Sequence, residues 1–190
     1  MPDYQSLPTV FFDIETTGLD IGYHEIIEAA FIHSVKGKFS IKIKPRYIVR
    51  ASPEALSING YNESAWSDSL YFDNENVIKI FKDYLENAII IGHNICNFDI
   101  PFTIAQFKMC GLKPPSINFT LIDTKILALA HLVPKGLRSL SLKACCSYFG
   151  IKNDGEHRAL DDCMRNMEMY DSLIKHLKWY DGKPTQEKLF

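Results

Sequence analysis

Apolar and polar positions recur with two different periods along this chain, and the change of period marks its elements. Residues 9–14 are apolar up to Asp13 and read as a central strand buried on both faces. Residues 25–35 and 39–49 are β-rich runs joined through Lys36-Gly37-Lys38, a hairpin-like turn. In the second run Phe39, Ile41 and Ile43 alternate with Ser40, Lys42 and Lys44, so one of its faces is wet. Ser52-Pro53-Glu54-Ala55-Leu56 opens a short helix with a serine cap and proline at the first position, and Asn59-Gly60 ends it. Val77, Ile78, Phe81 and Leu85 give residues 74–86 helical spacing. Residues 88–92 form another apolar strand, 102–109 a helix stopped by Gly111, and 118–122 a last strand leading into a helix over 124–131. Two further helices are predicted over 139–149, ended by Gly150, and over 159–179. The order is an antiparallel meander of three strands followed by alternating helix and strand. It predicts an α/β fold with one mixed five-stranded sheet flanked by helices.

Composition narrows the picture in three ways. With 190 residues, 46% of them hydrophobic, the chain has the material for one substantial core, expected over residues 1–180, with a flexible tail over 181–190 beyond Gly182 and Pro184. A net charge of −2 argues against a protein that coats nucleic acid through a broad basic surface, and leaves room for one that grips a strand end. Five cysteines, an odd count without a C-x-x-C pair, fit reduced and mostly buried thiols. No secretory leader is recognisable, and no apolar run approaches the ~20 residues needed to span a bilayer, so a cytoplasmic location without membrane contact is expected.

The chemistry starts at Phe11-Phe12-Asp13-Ile14-Glu15-Thr16-Thr17-Gly18. Side chains two apart on a strand share a face, so Asp13 and Glu15 aim at one spot. Two carboxylates so close repel unless they are solvated or share a cation, and an oxygen-loving divalent metal suits them. A second constellation, Gly92-His93-Asn94-Ile95-Cys96-Asn97-Phe98-Asp99, follows an apolar strand and puts Asp99 at the entrance to a helix. In isolation Asp99 reads as a helix cap. A third, His157-Arg158-Ala159-Leu160-Asp161-Asp162, offers His157 and two aspartates. On an ideal helix, five positions turn His157 and Asp162 about 140° apart, so convergence requires His157 on the loop ahead of the helix. Helical periodicity does not choose between Asp161 and Asp162.

Together the three segments resemble the DEDDh family of 3′–5′ exonucleases, of the DnaQ-like, ribonuclease H-like kind. The first motif is similar to Asp13-Ile14-Glu15-Thr16-Thr17-Gly18-Leu19, the second to His93-Asn94 with Phe98-Asp99, and the third to His157 through Asp162. Three residues separate Asn94 from Phe98 where two are commoner, a spacing similar to the Trex-type branch and to some polymerase exonuclease domains. The resemblance implies Asp162, not Asp161, as the last metal ligand. It implies that Asp13, Glu15, Asp99 and Asp162 hold two Mg²⁺ or Mn²⁺ ions, with Asp13 bridging them and His157 as general base. It further implies a substrate-binding role for Thr16, Thr17, Gly18, Leu19, His93, Asn94 and Phe98. The activity implied is release of 5′-mononucleotides from 3′ ends, of single-stranded or frayed DNA in preference to RNA. Two alternatives stay open: an exoribonuclease of the same fold, and a non-catalytic domain that binds nucleic acid or a polymerase. The ending Gln186-Glu187-Lys188-Leu189-Phe190 resembles the peptide by which bacterial replication proteins dock on the sliding clamp, with Glu187 where leucine is usual. Gln186, Leu189 and Phe190 are its candidate contacts.

Overall fold

The computed structural model describes residues 6–117, 120–153 and 158–178. Strands β1 (Thr9–Thr16), β2 (Ile26–His33) and β3 (Gly37–Lys44) form the meander, and β5 (Ile89–Gly92) and β6 (Leu121–Asp123) follow parallel to β1. All five expected strands are present. A sixth, β4 (Leu70–Tyr71), pairs in parallel with the end of β3, and the sheet order is β4-β3-β2-β1-β5-β6. Strand β3 stops at Lys44 and not at 49, because Pro45 has no N–H for the ladder, and Ile48–Arg50 coils into a single 3₁₀ turn.

Alternation along β1 sends its side chains to two cores. Val10, Phe12 and Ile14 join Phe31, Val77, Phe81, Leu85, Phe102 and Phe107 in the larger one, under helices α2 (Glu75–Leu85) and α3 (Asp99–Met109). The rings of Phe12 and Phe31 stack at 5.1 Å, with Phe81 edge-on at 5.5 Å from Phe31. Phe11 points the other way, with Ala30 and Ile91, against Ala159 and Cys163 of the long helix α6 (Ala159–Lys178). Asp13 and Glu15 share the parity of Phe11, so the strand delivers both carboxylates to the side that α6 covers. Short helices α1 (Pro53–Ile58), α4 (Thr124–His131) and α5 (Leu142–Tyr148) complete the fold, the last two packing on α6 through Leu132, Cys145, Cys146, Met169 and Leu173. The cap read from sequence is in place, Ser52 accepting from the Ala55 amide, and Ser141 caps α5 in the same way, accepting from the Ala144 amide. Among the described residues no helix is long and apolar enough to cross a membrane.

Where β1 ends, its ladder with β2 is irregular. Glu15 pairs with Glu28 but Thr16 pairs with Ile26, leaving Ile27 as an extra residue on β2. The Trp66 indole N–H donates to the Ile27 carbonyl at 2.8 Å and so satisfies the bulged backbone. This bulge sits beside the carboxylates.

Candidate active site

Three carboxylates converge. One oxygen each from Asp13, Glu15 and Asp162 all lie within 4.8 Å of one another. The first two come from the end of β1, and the third from the first turn of α6, whose approach is set by Ala159 and Cys163 packing on the sheet. Asp162, not Asp161, faces the strand; Asp161 lines a separate hollow with Lys152 and Glu168. The helix phase left that choice open, and packing makes it.

Asp99 stands beside this cluster. It begins α3 but does not cap it, since the cap position is Phe98 and carries no side-chain cap bond. Its Oδ1 instead accepts the Ile14 amide at 3.1 Å, the N–H lying between the two strand carboxylates. The residue is 2% exposed, so α3 is locked to β1 through the acid that the second motif supplies.

Crowding and burial make Asp13, Glu15 and Asp99 hard to ionise. Burial first, then Asp99, Glu15, Asp162 and Glu28, push the Asp13 carboxyl well above the usual range. Glu15 is pushed to about 8 by burial, then by Asp162, Glu28 and Asp99, with Arg158 opposing. Burial raises Asp99 to about 7, against the backbone N–H groups that bond it. An all-oxygen donor set that repels itself in this way fits a hard divalent cation such as Mg²⁺ or Mn²⁺, whose charge would replace the protons.

Two arginines brace the rim. Arg158 grips Glu28 through Nε and Nη2 at 3.0 and 3.1 Å, and Glu28 is buried opposite Glu15 in the sheet. Arg165 lies 3.5 Å from Asp162 and donates to Asn153 at 2.6 Å. The pair Glu28–Arg158 was not among the expected site residues. Its signal is in the sequence: a glutamate inside Ile26-Ile27-Glu28-Ala29-Ala30-Phe31 must find a cation or cost several kcal/mol. Asp123 was missed as well. It caps α4 and also accepts from the amides of Asn94 and Cys96 at 3.0 and 3.2 Å, shaping the loop that leads to Asp99.

The remaining expected residues divide by their environment. Thr16 and Thr17 are buried, and their polar groups are used internally: Thr16 Oγ1 donates to the Gly18 carbonyl, and Thr17 Oγ1 accepts the Glu25 amide. Gly18 is pressed against His24, where an added Cβ would come within 2.4 Å of the imidazole. Leu19, 77% exposed, stands out from that turn. His93 spends both ring nitrogens inside the protein, on Thr124 Oγ1 at 3.1 Å and the Leu140 carbonyl at 2.8 Å. A carbonyl only accepts, so Nε2 carries the proton, and burial holds the ring below its usual pKa and neutral. Asn94 adopts a left-handed conformation (φ 67°) and accepts from Lys125 at 3.2 Å. Phe98 is half-buried against Phe102. His157 and the tail positions Gln186, Leu189 and Phe190 lie outside the described residues.

Comparison with known proteins agrees with this arrangement. The RNase T family model, described as an exonuclease, matches residues 10–170. The chain is 29% identical over 183 residues to a PolC-type DNA polymerase III of Caldanaerobacter subterraneus subsp. tengcongensis, covering 94% of this chain but 12% of that one. It is 27% identical over 189 residues to the DNA polymerase III epsilon subunit of Treponema pallidum, covering 94% and 85%. Among solved structures, the nuclease domain of 3′hExo, a DEDDh family member bound to rAMP, superposes with a TM-score of 0.70 at 18% identity, covering 89% of this chain and 92% of that one. E. coli ExoI in complex with single-stranded DNA gives 0.74 at 20% identity, covering 92% and 41%. The carboxylates at the end of β1, their partners on α3 and α6 and the matched span all lead to one assignment: the chain belongs to the DEDDh exonuclease family, with a ribonuclease H-like fold.

Proposed function

We propose that this chain is a divalent-metal-dependent 3′–5′ exonuclease that releases 5′-mononucleotides from single-stranded or frayed DNA ends, in a proofreading or repair role. The observation that carries the reading is the convergence of Asp13, Glu15 and Asp162 within 4.8 Å. Relatives named for DNA polymerase III support DNA as the substrate and a replicative polymerase as the partner.

Asp13, Glu15, Asp99 and Asp162 would hold two Mg²⁺ or Mn²⁺ ions. When bound, such ions acidify a water and stabilise the leaving 3′-oxygen. Asp13, whose carboxyl feels Asp99, Glu15 and Asp162 at once, is our choice for the ligand shared by both. The Ile14 N–H keeps Asp99 oriented, and Arg165 steadies Asp162. His157, next in sequence to Arg158, is the candidate base that takes a proton from the attacking water. It must be neutral to do so, and an unperturbed histidine titrates near ~6.5. Leu19, exposed to solvent at the turn after β1, would press on the terminal base.

A time course on matched, 5′-end-labelled DNA and RNA oligonucleotides in Mg²⁺ tests the reading. Stepwise shortening of DNA from the 3′ end, abolished by EDTA, is the expected result. Faster shortening of RNA would move the substrate to RNA, and no shortening of either would leave a non-catalytic domain.

A further inference from the structure

Most basic side chains near the site are already engaged. Lys42 lies 4.2 Å over the Trp66 ring and donates to the Ala65 carbonyl, Lys44 donates to Ser67, and Arg46 grips Asp73 with bonds of 2.8 and 3.0 Å. Arg50 differs. Its guanidinium carbon is 4.2 Å from the Tyr47 ring centre and 5.3 Å from that of Tyr23, and among the described residues no carboxylate reaches ion-pair distance of it. Both rings are open to solvent, Tyr23 at 49% and Tyr47 at 44% exposed, and Val49 beside them is 92% exposed. A cation clamped between two exposed aromatic rings has been left without an acid.

This ledge is braced to the catalytic turn. The amides of Arg46 and Tyr47 donate to the two oxygens of Glu25 at 3.0 and 2.7 Å. Glu25 in turn exchanges bonds with Thr17, its amide donating to Thr17 Oγ1 and its carbonyl accepting the Thr17 amide. Ser52, two residues after Arg50, donates to the Thr17 carbonyl at 2.8 Å. Tyr23 packs edge-on against His24, the residue that fills the space over Gly18. The ledge therefore continues the surface on which Leu19 stands.

Exposed rings stack on the faces of unpaired bases whatever their sequence, and a guanidinium on an aromatic face keeps its outer N–H groups for phosphate. A duplex hides its base faces, so the chemistry selects a single strand. We propose that Tyr23, Arg50 and Tyr47 form a second contact for single-stranded DNA, holding the nucleotides behind the 3′-terminal one. The inference rests on the exonuclease reading above and adds the origin of a preference for unpaired ends.

The test compares the wild type with Tyr47→Ala/Arg50→Ala and with Tyr47→Phe, each checked for an unchanged melting temperature. Two readouts are taken: anisotropy of a labelled oligo(dT) without catalysis, and turnover of oligo(dT) against the p-nitrophenyl ester of thymidine 5′-phosphate, which spans the metal site alone. The double variant is expected to bind oligo(dT) about tenfold more weakly or worse, and to lose far more kcat/KM on the oligonucleotide than on the ester. Tyr47→Phe, which keeps the ring, should stay near wild type. Unchanged oligonucleotide binding in the double variant, or equal losses on both substrates, overturns the ledge. If the wild type hydrolyses neither substrate, the exonuclease reading fails, and the anisotropy alone still decides the ledge.

Discussion

Replacing Glu15 by Gln measures what crowding the carboxylates costs the fold. Burial, Asp162, Glu28 and Asp99 raise Glu15 from an ordinary 4.5 to about 8. An acid whose pKa is higher in the folded than in the unfolded chain holds its proton more tightly when folded. Its favourable contribution is complete below the unfolded pKa and is lost as pH rises through the folded one. Over the interval from 4.5 to about 8, at ~1.36 kcal/mol per pH unit, ionising Glu15 costs the metal-free protein on the order of 4–5 kcal/mol. Asp13 and Asp99 titrate in the same cluster and share the repulsion, so neutralising one member recovers roughly half, about 2–3 kcal/mol. For a domain of this size that is a rise in Tm of roughly 5–10 °C. The assay is thermal unfolding of both proteins in EDTA, comparing the Tm gap at about pH 8.5 with the gap at about pH 5, where both side chains are neutral when folded. Added Mg²⁺ should narrow or reverse the gap, because only the wild type gains a full ligand set. A Tm gap that does not grow with pH would mean that Glu15 ionises in the folded chain without this cost.

Other consequences follow from the same geometry. Mg²⁺ binding near neutral pH should release protons, since Glu15 at about 8 and Asp99 at about 7 must ionise, so calorimetric heats will depend on the ionisation enthalpy of the buffer and affinity will rise with pH up to about 8. Gly18→Ala drives a Cβ into His24 and should cost about 1–3 kcal/mol of stability, read by urea unfolding, together with a raised KM. Arg158→Ala leaves Glu28 buried without its cation and should lower metal affinity about 10–100-fold, whereas Arg158→Lys, which cannot reproduce the two-point grip, should recover only part of it. Both are measured by metal titration of turnover.

The strands of the meander and the helix over 124–131 are legible because their apolar positions keep one period over many residues. Strand β4 is not, since two residues have no period, and it exists only because Ile43 and Lys44 offer an open edge. The Asp13–Glu15 pair is readable from strand alternation alone. Asp162 is not separable from Asp161 by helix phase, because what separates them is the packing of Ala159 and Cys163 on the sheet. Asp99 looks like a cap in sequence, and its true partner is the Ile14 amide 85 positions earlier, a contact no local pattern encodes. Glu28 was detectable in principle as a charge inside an apolar strand, but its partner Arg158 lies 130 residues away. Thr16, Thr17 and His93 carry the family's letters, yet their polar groups are bonded within the protein; only the folded chain reveals that Leu19, and not they, is exposed.

In the proposed site Asp13 anchors divalent cations among four acids. Electron paramagnetic resonance of Mn²⁺ titrated into the wild type and into Asp13→Asn tests it most directly. Two bound ions per wild-type chain are expected, with loss of tight binding and of DNA shortening together in the variant. Wild-type Mn²⁺ binding retained in Asp13→Asn would contradict this expectation.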